Sequence, residues 1–185
     1  MLRKLLVVAC LLSVVIVAYG QKQKSKNKSE QKNALFITTA DGKKIFYNEI
    51  GAPLPPFRFY RNDGRFVTHE SLYNDAPLLV VLFNPTCEHC QLMAQEFKNN
   101  ISLFRKSHLV FVAANGLYTY LPYFIEHSGV GNEPKIQLTV DSSGFIPKTF
   151  LYKALPQINI YNKERKLEKI FFSNVPIDSL RSYIE

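Results

Sequence analysis

The chain lacks tryptophan altogether and has only three cysteines, eight glycines and two methionines in 185 residues. Three cysteines are too few to staple a small disulfide-rich domain. Eight glycines and ten prolines are too few for a collagen-like or low-complexity chain. No apolar run reaches the roughly 18 residues that a spanning helix needs, which excludes a polytopic helical membrane protein. Glycine-rich phosphate loops and the HExxH and GxSxG patterns are also missing, so none of those routes to catalysis is signalled. What is present is the composition of an ordinary globular chain, 46% apolar and 21% charged, long enough for one domain with appendages.

The formal charge of +8 invites a nucleic-acid reading until it is located. Arg3 and Lys4 precede an apolar run, and Lys22, Lys24, Lys26, Lys28 and Lys32 against Glu30 put +4 into one short polar stretch. Residues 33–185 are left with only +2 and no dense basic patch. The basic stretch therefore reads as a solvated, flexible spacer, and no nucleic-acid partner is expected.

Arg3 and Lys4, the mostly apolar Leu5 to Ala18, and Ala18-Tyr19-Gly20 have the order of an export signal. Small residues at −3 and −1 place the expected cleavage after Gly20. An uncleaved anchor, or lipidation at Cys10 in Val7-Val8-Ala9-Cys10, are the competing readings. All three put the folded part outside the cytoplasm, periplasmic or secreted, with membrane association only through the N-terminus. If Cys10 leaves with the signal, the mature chain keeps Cys87 and Cys90, which can be oxidised in an exported protein.

Residues 33–50 alternate loosely around Asp41-Gly42, consistent with a small hairpin, and Gly51 to Pro56 is a stiff connector. Phe57 to Tyr60 and Phe66-Val67 flank the turn signal Asn62-Asp63-Gly64. Leu78 to Phe83 is six apolar residues in a row, the pattern of a central strand buried on both faces. Asn84-Pro85-Thr86 stops it. From Cys87 the pattern turns helical, with Cys90, Met93, Ala94, Phe97 and Ile101 on one face and Gln91, Gln95, Lys98 and Asn99 on the other.

His108 to Ala114 and Ile136 to Val140 read as strands. Tyr118 to His127 reads as a helix with Pro122 near its first turn, its tyrosines being core with half-exposed ring edges. Residues 144–154 offer at most one helical turn. Gln157 to Tyr161 and Leu167 to Phe172 form a terminal hairpin about a turn at 162–165, and Pro176 to Ile184 a closing helix. Strands alternating with helices imply a parallel core, and the hairpin adds antiparallel strands. The expected class is α/β, a central mixed sheet flanked by helices on both faces.

Cys87-Glu88-His89-Cys90 opens the helix that follows the central strand. Cysteines at i and i+3 share a helix face, with Cα atoms near the roughly 5.5–6 Å that a disulfide prefers. The partial positive charge and free amides of the helix N-terminus stabilise a thiolate at Cys87, which becomes the attacking sulfur. Cys90, one turn inside, resolves the mixed disulfide. Between them, protonated His89 favours the thiolate and the reduced form, and Glu88 opposes it. Zinc sites with CxxC usually draw two more ligands from a second pair, which is missing here. A purely structural disulfide would close a loop too short to constrain the unfolded chain much.

In these features residues 53–185 resemble the thioredoxin superfamily, most of all exported TlpA/ResA-like thiol-disulfide oxidoreductases. The opening hairpin about Asn62-Asp63-Gly64, the strand Leu78 to Phe83 with its Cys-Glu-His-Cys helix, and Leu155-Pro156 before the strand at Gln157 come in the family's order. The resemblance implies a thioredoxin-like fold, Pro156 as the cis-proline beside the disulfide and Leu155 as a substrate-contacting residue. The chain departs from the pattern in having Thr86 where many relatives carry tryptophan. No carboxylate lies in Leu78 to Phe83 to act as buried proton acceptor, and Glu96 reads more readily as a solvated helix residue. The peroxiredoxin pattern Pro-x-x-x-Thr-x-x-Cys is not met.

The expected organisation is a signal peptide at 1–20, a basic spacer with a small hairpin at 21–52, and a thioredoxin-like domain at 53–185. The expected activity is disulfide exchange with protein thiols and disulfides through Cys87 and Cys90, in the reductive direction. It would be fed by an upstream redox partner and carried out by a monomer without metal or cofactor. The alternative is a thioredoxin-fold binding module whose two cysteines hold copper or zinc, or are only structural.

Overall fold

The structure is a computed structural model that describes residues 34–72 and 76–184. The leader with Cys10 and the lysine-rich stretch lie outside the described residues. Residues 35–185 form one of two units into which the chain divides, and everything below concerns that unit.

Nine strands occur among the described residues: β1 Phe36–Thr38, β2 Lys44–Phe46, β3 Arg58–Arg61, β4 Phe66–Thr68, β5 Leu78–Phe83, β6 His108–Ala113, β7 Ile136–Val140, β8 Gln157–Tyr161 and β9 Leu167–Phe172. The helices are α1 Glu88–Asn99, α2 Leu121–Ser128, α3 Phe145–Thr149 and α4 Arg181–Ile184, with short 3-10 turns between elements. Strands β1 and β2 pair antiparallel as a separate hairpin, Phe36 opposite Phe46. The other seven form one sheet in the order β4-β3-β7-β6-β5-β8-β9.

Strand β5 lies in the middle because all six of its side chains are apolar and all six are buried. Each such burial contributes about 1.5–3 kcal/mol, so no edge position could compete. It runs parallel to β6, with Phe83 opposite Ala113, and antiparallel to β8, with Leu82 opposite Gln157. The parallel set β5, β6 and β7 is bordered by antiparallel neighbours, which makes the sheet mixed.

Alternation along β5 builds two cores. Leu79, Val81 and Phe83 face Cys90, Met93, Ala94 and Phe97 of α1, with Phe124, Leu180 and Ile184. Leu78, Val80 and Leu82 face the other side, with Phe57, Phe59, Ile146, Phe150 and Tyr161. Helices thus cover both faces: α1, α2 and α4 on one, α3 on the other.

Local details differ from expectation where tight turns compete with α-helix. The helix read over 118–127 begins as a 3-10 turn at Tyr118–Tyr120, and α2 proper starts at Leu121 with Pro122 in its first turn, where no N–H is needed. Leu121 and Phe124 are buried, whereas Tyr118, Tyr120 and Tyr123 are 43–48% exposed. The closing helix likewise starts as a 3-10 turn, Ile177–Leu180. Residues 145–149 do form a helical turn.

Candidate active site

Four residues, 84–87, carry the chain from β5 to α1, and their backbone groups are nearly all committed. Pro85 has no N–H. The Thr86 N–H and the Thr86 hydroxyl both donate to Asn84 Oδ1, each at 3.0 Å. The Cys87 N–H donates to the Asn84 carbonyl at 3.1 Å. From the helix side, Gln91 Nε2 donates to the Pro85 carbonyl at 2.9 Å. An asparagine followed by proline is a turn signature because the short amide mimics a backbone acceptor. In the sequence this segment reads only as a stop.

Cys87 is the N-cap of α1, extended at φ −86° and ψ 117°. Its carbonyl accepts the first helical bonds, from the N–H groups of Cys90 at 3.0 Å and Gln91 at 3.1 Å. Its half-buried side chain therefore sits where the partial positive charge of the helix end is felt. Glu88 and His89, next along the chain, are exposed.

Cys90 is 1% exposed and packs into the core under β5. Both cysteines are free thiols in the structure. Burial pushes the Cys90 thiol up to about 12, and a side-chain hydrogen bond with Cys87 adds to the rise. The Asn84 N–H, which reaches Cys90 Sγ at 3.5 Å, works against it.

The Leu155–Pro156 peptide bond is cis. Pro156 is buried and directly precedes Gln157, the residue opposite Leu82, so it sits beside the end of β5 from which the cysteine loop departs. Half-buried Leu155 touches both cores. The Ser173 N–H donates to the Pro156 carbonyl at 2.8 Å, fastening this loop to the end of β9. The sheet thus brings Cys87, Cys90, Leu155 and Pro156 to one end of its strands, although Cys90 and Leu155 are 65 positions apart in sequence.

One sequence reading changes and one holds. Gln91, placed from periodicity on the solvent face of α1, is buried, because its amide closes the loop through the Pro85 carbonyl. Glu96 is exposed and bonded to Asn100 on the helix surface, not beneath the cysteines. Among the described residues, no three side chains of His, Cys, Asp or Glu gather as a metal-binding group would require.

No family model matches the sequence, and no curated protein matches it. Solved structures do match. The chain is similar to DsbF of MTB, solved in mixed oxidised and reduced forms, with a TM-score of 0.60, 18% identity and coverage of 70% of this chain and 96% of that one. It is similar to a secreted Mycobacterium tuberculosis disulfide oxidoreductase described as homologous to E. coli DsbE (TM-score 0.56, 16% identity, 69% and 93% covered). It is also similar to the thioredoxin domain of a thiol-disulfide oxidoreductase from Bacteroides vulgatus (TM-score 0.58, 14% identity, 72% and 94% covered). With its mixed seven-stranded sheet and flanking helices, the chain has the thioredoxin-like fold of these solved structures.

Proposed function

We propose that this chain is an exported thiol-disulfide oxidoreductase that reduces disulfides of protein substrates through Cys87 and Cys90. One observation carries the reading: a half-buried cysteine caps the helix N-terminus, and a fully buried one waits a turn behind it. That asymmetry is what a two-step exchange needs. The Cys87 thiolate attacks a substrate disulfide, forms a mixed disulfide and expels one substrate thiolate. Cys90 then loses its proton and attacks Cys87 Sγ. The Cys87–Cys90 disulfide forms, the bond to substrate breaks, and the second substrate thiolate leaves and is protonated. Two electrons pass to the substrate, and a dithiol donor of the exported compartment must restore the pair.

Leu155 and Pro156 lie at the same end of the sheet as the cysteine loop, and in this reading the backbone at Leu155 serves as the contact for an extended substrate segment. The apolar leader supports export, as does the likeness to a structure described as secreted. A metal-binding module is the weaker reading, since among the described residues the two cysteines gather no further ligands.

Replacing Cys90 with Ser tests the proposal. The variant should accumulate mixed disulfides through Cys87 when exposed to oxidised protein substrates, resolved by non-reducing electrophoresis and released by dithiothreitol. Absence of adducts, with a wild-type pair that cannot be cycled between thiol and disulfide, would sink the enzyme reading.

A further inference from the structure

The exchange proposed above leaves a difficulty at its second step. Cys90 must lose a proton while 1% exposed, and α1 and β5 place no carboxylate beneath it. Apart from Cys87, the polar group that acts on its sulfur is the Asn84 N–H at 3.5 Å. A backbone N–H only donates, so it stabilises the thiolate and not the thiol.

The direction of that N–H is set by side chains. Asn84 Oδ1 collects both the N–H and the hydroxyl of Thr86, which folds the loop back on Asn84 itself. The Cys87 N–H closes the same turn onto the Asn84 carbonyl. Gln91 holds the loop to α1 through the Pro85 carbonyl. Proline contributes no donor, so each N–H of residues 84–87 has one assigned acceptor, and that of Asn84 is sulfur.

We propose that Asn84 and Thr86 are positioning residues for the resolving step. Their side-chain clasp fixes the Asn84 N–H against Cys90 Sγ, where it stabilises the thiolate as it forms. The inference rests on the exchange reading and names which step of it the loop serves. The amide takes no proton itself: the proton of Cys90 passes to solvent, the departing substrate thiolate takes one up, and the held N–H stabilises the sulfur in between. Among the groups that act on the Cys90 sulfur, Cys87 is the only titratable one.

Reaction of the reduced full chain, in a Cys10→Ser background, with 5,5′-dithiobis(2-nitrobenzoate) separates the two steps by stopped flow. The first release of thionitrobenzoate reports attack by Cys87, and the second reports resolution by Cys90. Asn84→Ala should slow the second phase about tenfold, the worth of one good hydrogen bond to an ionised group, and move its pH midpoint upward. The first phase should stay within about twofold. Thr86→Val should slow the second phase about threefold and Thr86→Ser should restore it. Thr86 is exposed, so this pair keeps the test available even if Asn84→Ala fails to fold.

A second phase unchanged in rate and pH midpoint overturns the inference. So does equal slowing of both phases, which marks a general loosening of the loop. A wild-type chain that shows no second phase overturns the exchange reading itself, and this inference with it.

Discussion

The ring of Phe83, the last residue of β5, lies against the ring of Phe124 in α2 with 4.3 Å between centroids. This contact ties the strand that launches the cysteine loop to the helix covering β6, and both rings are essentially inaccessible to solvent. Phe124→Ala should therefore cost about 3–5 kcal/mol, the usual loss for emptying a buried aromatic site. The shift in urea midpoint at unchanged slope measures it.

Tyr161 ends β8 with its hydroxyl buried and without a hydrogen-bond partner among the described residues. Burial raises its ionisation above the ordinary tyrosine range. Tyr161→Phe removes an unsatisfied polar atom at nearly constant shape and should stabilise the fold by about 1 kcal/mol. A melting temperature that falls by several degrees would contradict this.

Stability of the reduced protein should decline in alkali. The Cys90 thiol titrates near 9 in the unfolded chain and near 12 in the fold, because burial disfavours the thiolate. Between those values the unfolded chain releases a proton that the folded chain retains, so the stabilisation is complete below about 9 and is lost as the pH climbs toward 12. Urea titrations at pH 8.5 and 10.5, compared with Cys90→Ala, isolate the effect. The wild type should lose more stability than the variant.

Glu88 and His89 are both exposed beside Cys87, so their influence on the couple is electrostatic and screened. Glu88→Gln should make the pair more oxidising and His89→Ala more reducing, each by about 10–30 mV. Equilibration with glutathione buffers reads both. The wild-type pair itself should fall below about −220 mV if it works as a reductase.

Arg165 is a residue of the β8–β9 turn, yet it is 3% exposed at φ +59°. Its guanidinium donates to the carbonyls of Leu72 and Ala76, joining the turn to the approach to β5. Lysine cannot reproduce that fork. Arg165→Lys should destabilise by about 2 kcal/mol, read as a lower melting temperature with the thiol kinetics of Cys87 unchanged.

Arg165 also shows where sequence reading reaches its limit. As part of a turn between two strands it looks like a solvated charge, and only the fold reveals the carbonyls it meets. Gln91 misleads for the same reason: α-helical periodicity puts it with Gln95 and Lys98, but a loop folded back over the helix N-terminus buries it. By contrast, Leu78 to Phe83 is legible as a central strand because six consecutive apolar residues admit few other places. Cys87 and Cys90 are legible because helix geometry alone brings i and i+3 together. Sheet order is less local. That β7 lies between β6 and β3 depends on pairing across more than 70 residues, and no short window of sequence carries it.

The placement of β5 between a parallel and an antiparallel neighbour also bears on how the chain is made. Its partner β6 begins at residue 108, but β8 begins only at residue 157. A growing chain that has delivered both cysteines and β6 still presents one side of β5 as an open edge of six apolar residues, the kind of edge that recruits other strands. Closure of that edge and assembly of the cysteine site are the same event, so a chain truncated before residue 157 should be aggregation-prone and have its sulfurs uncovered.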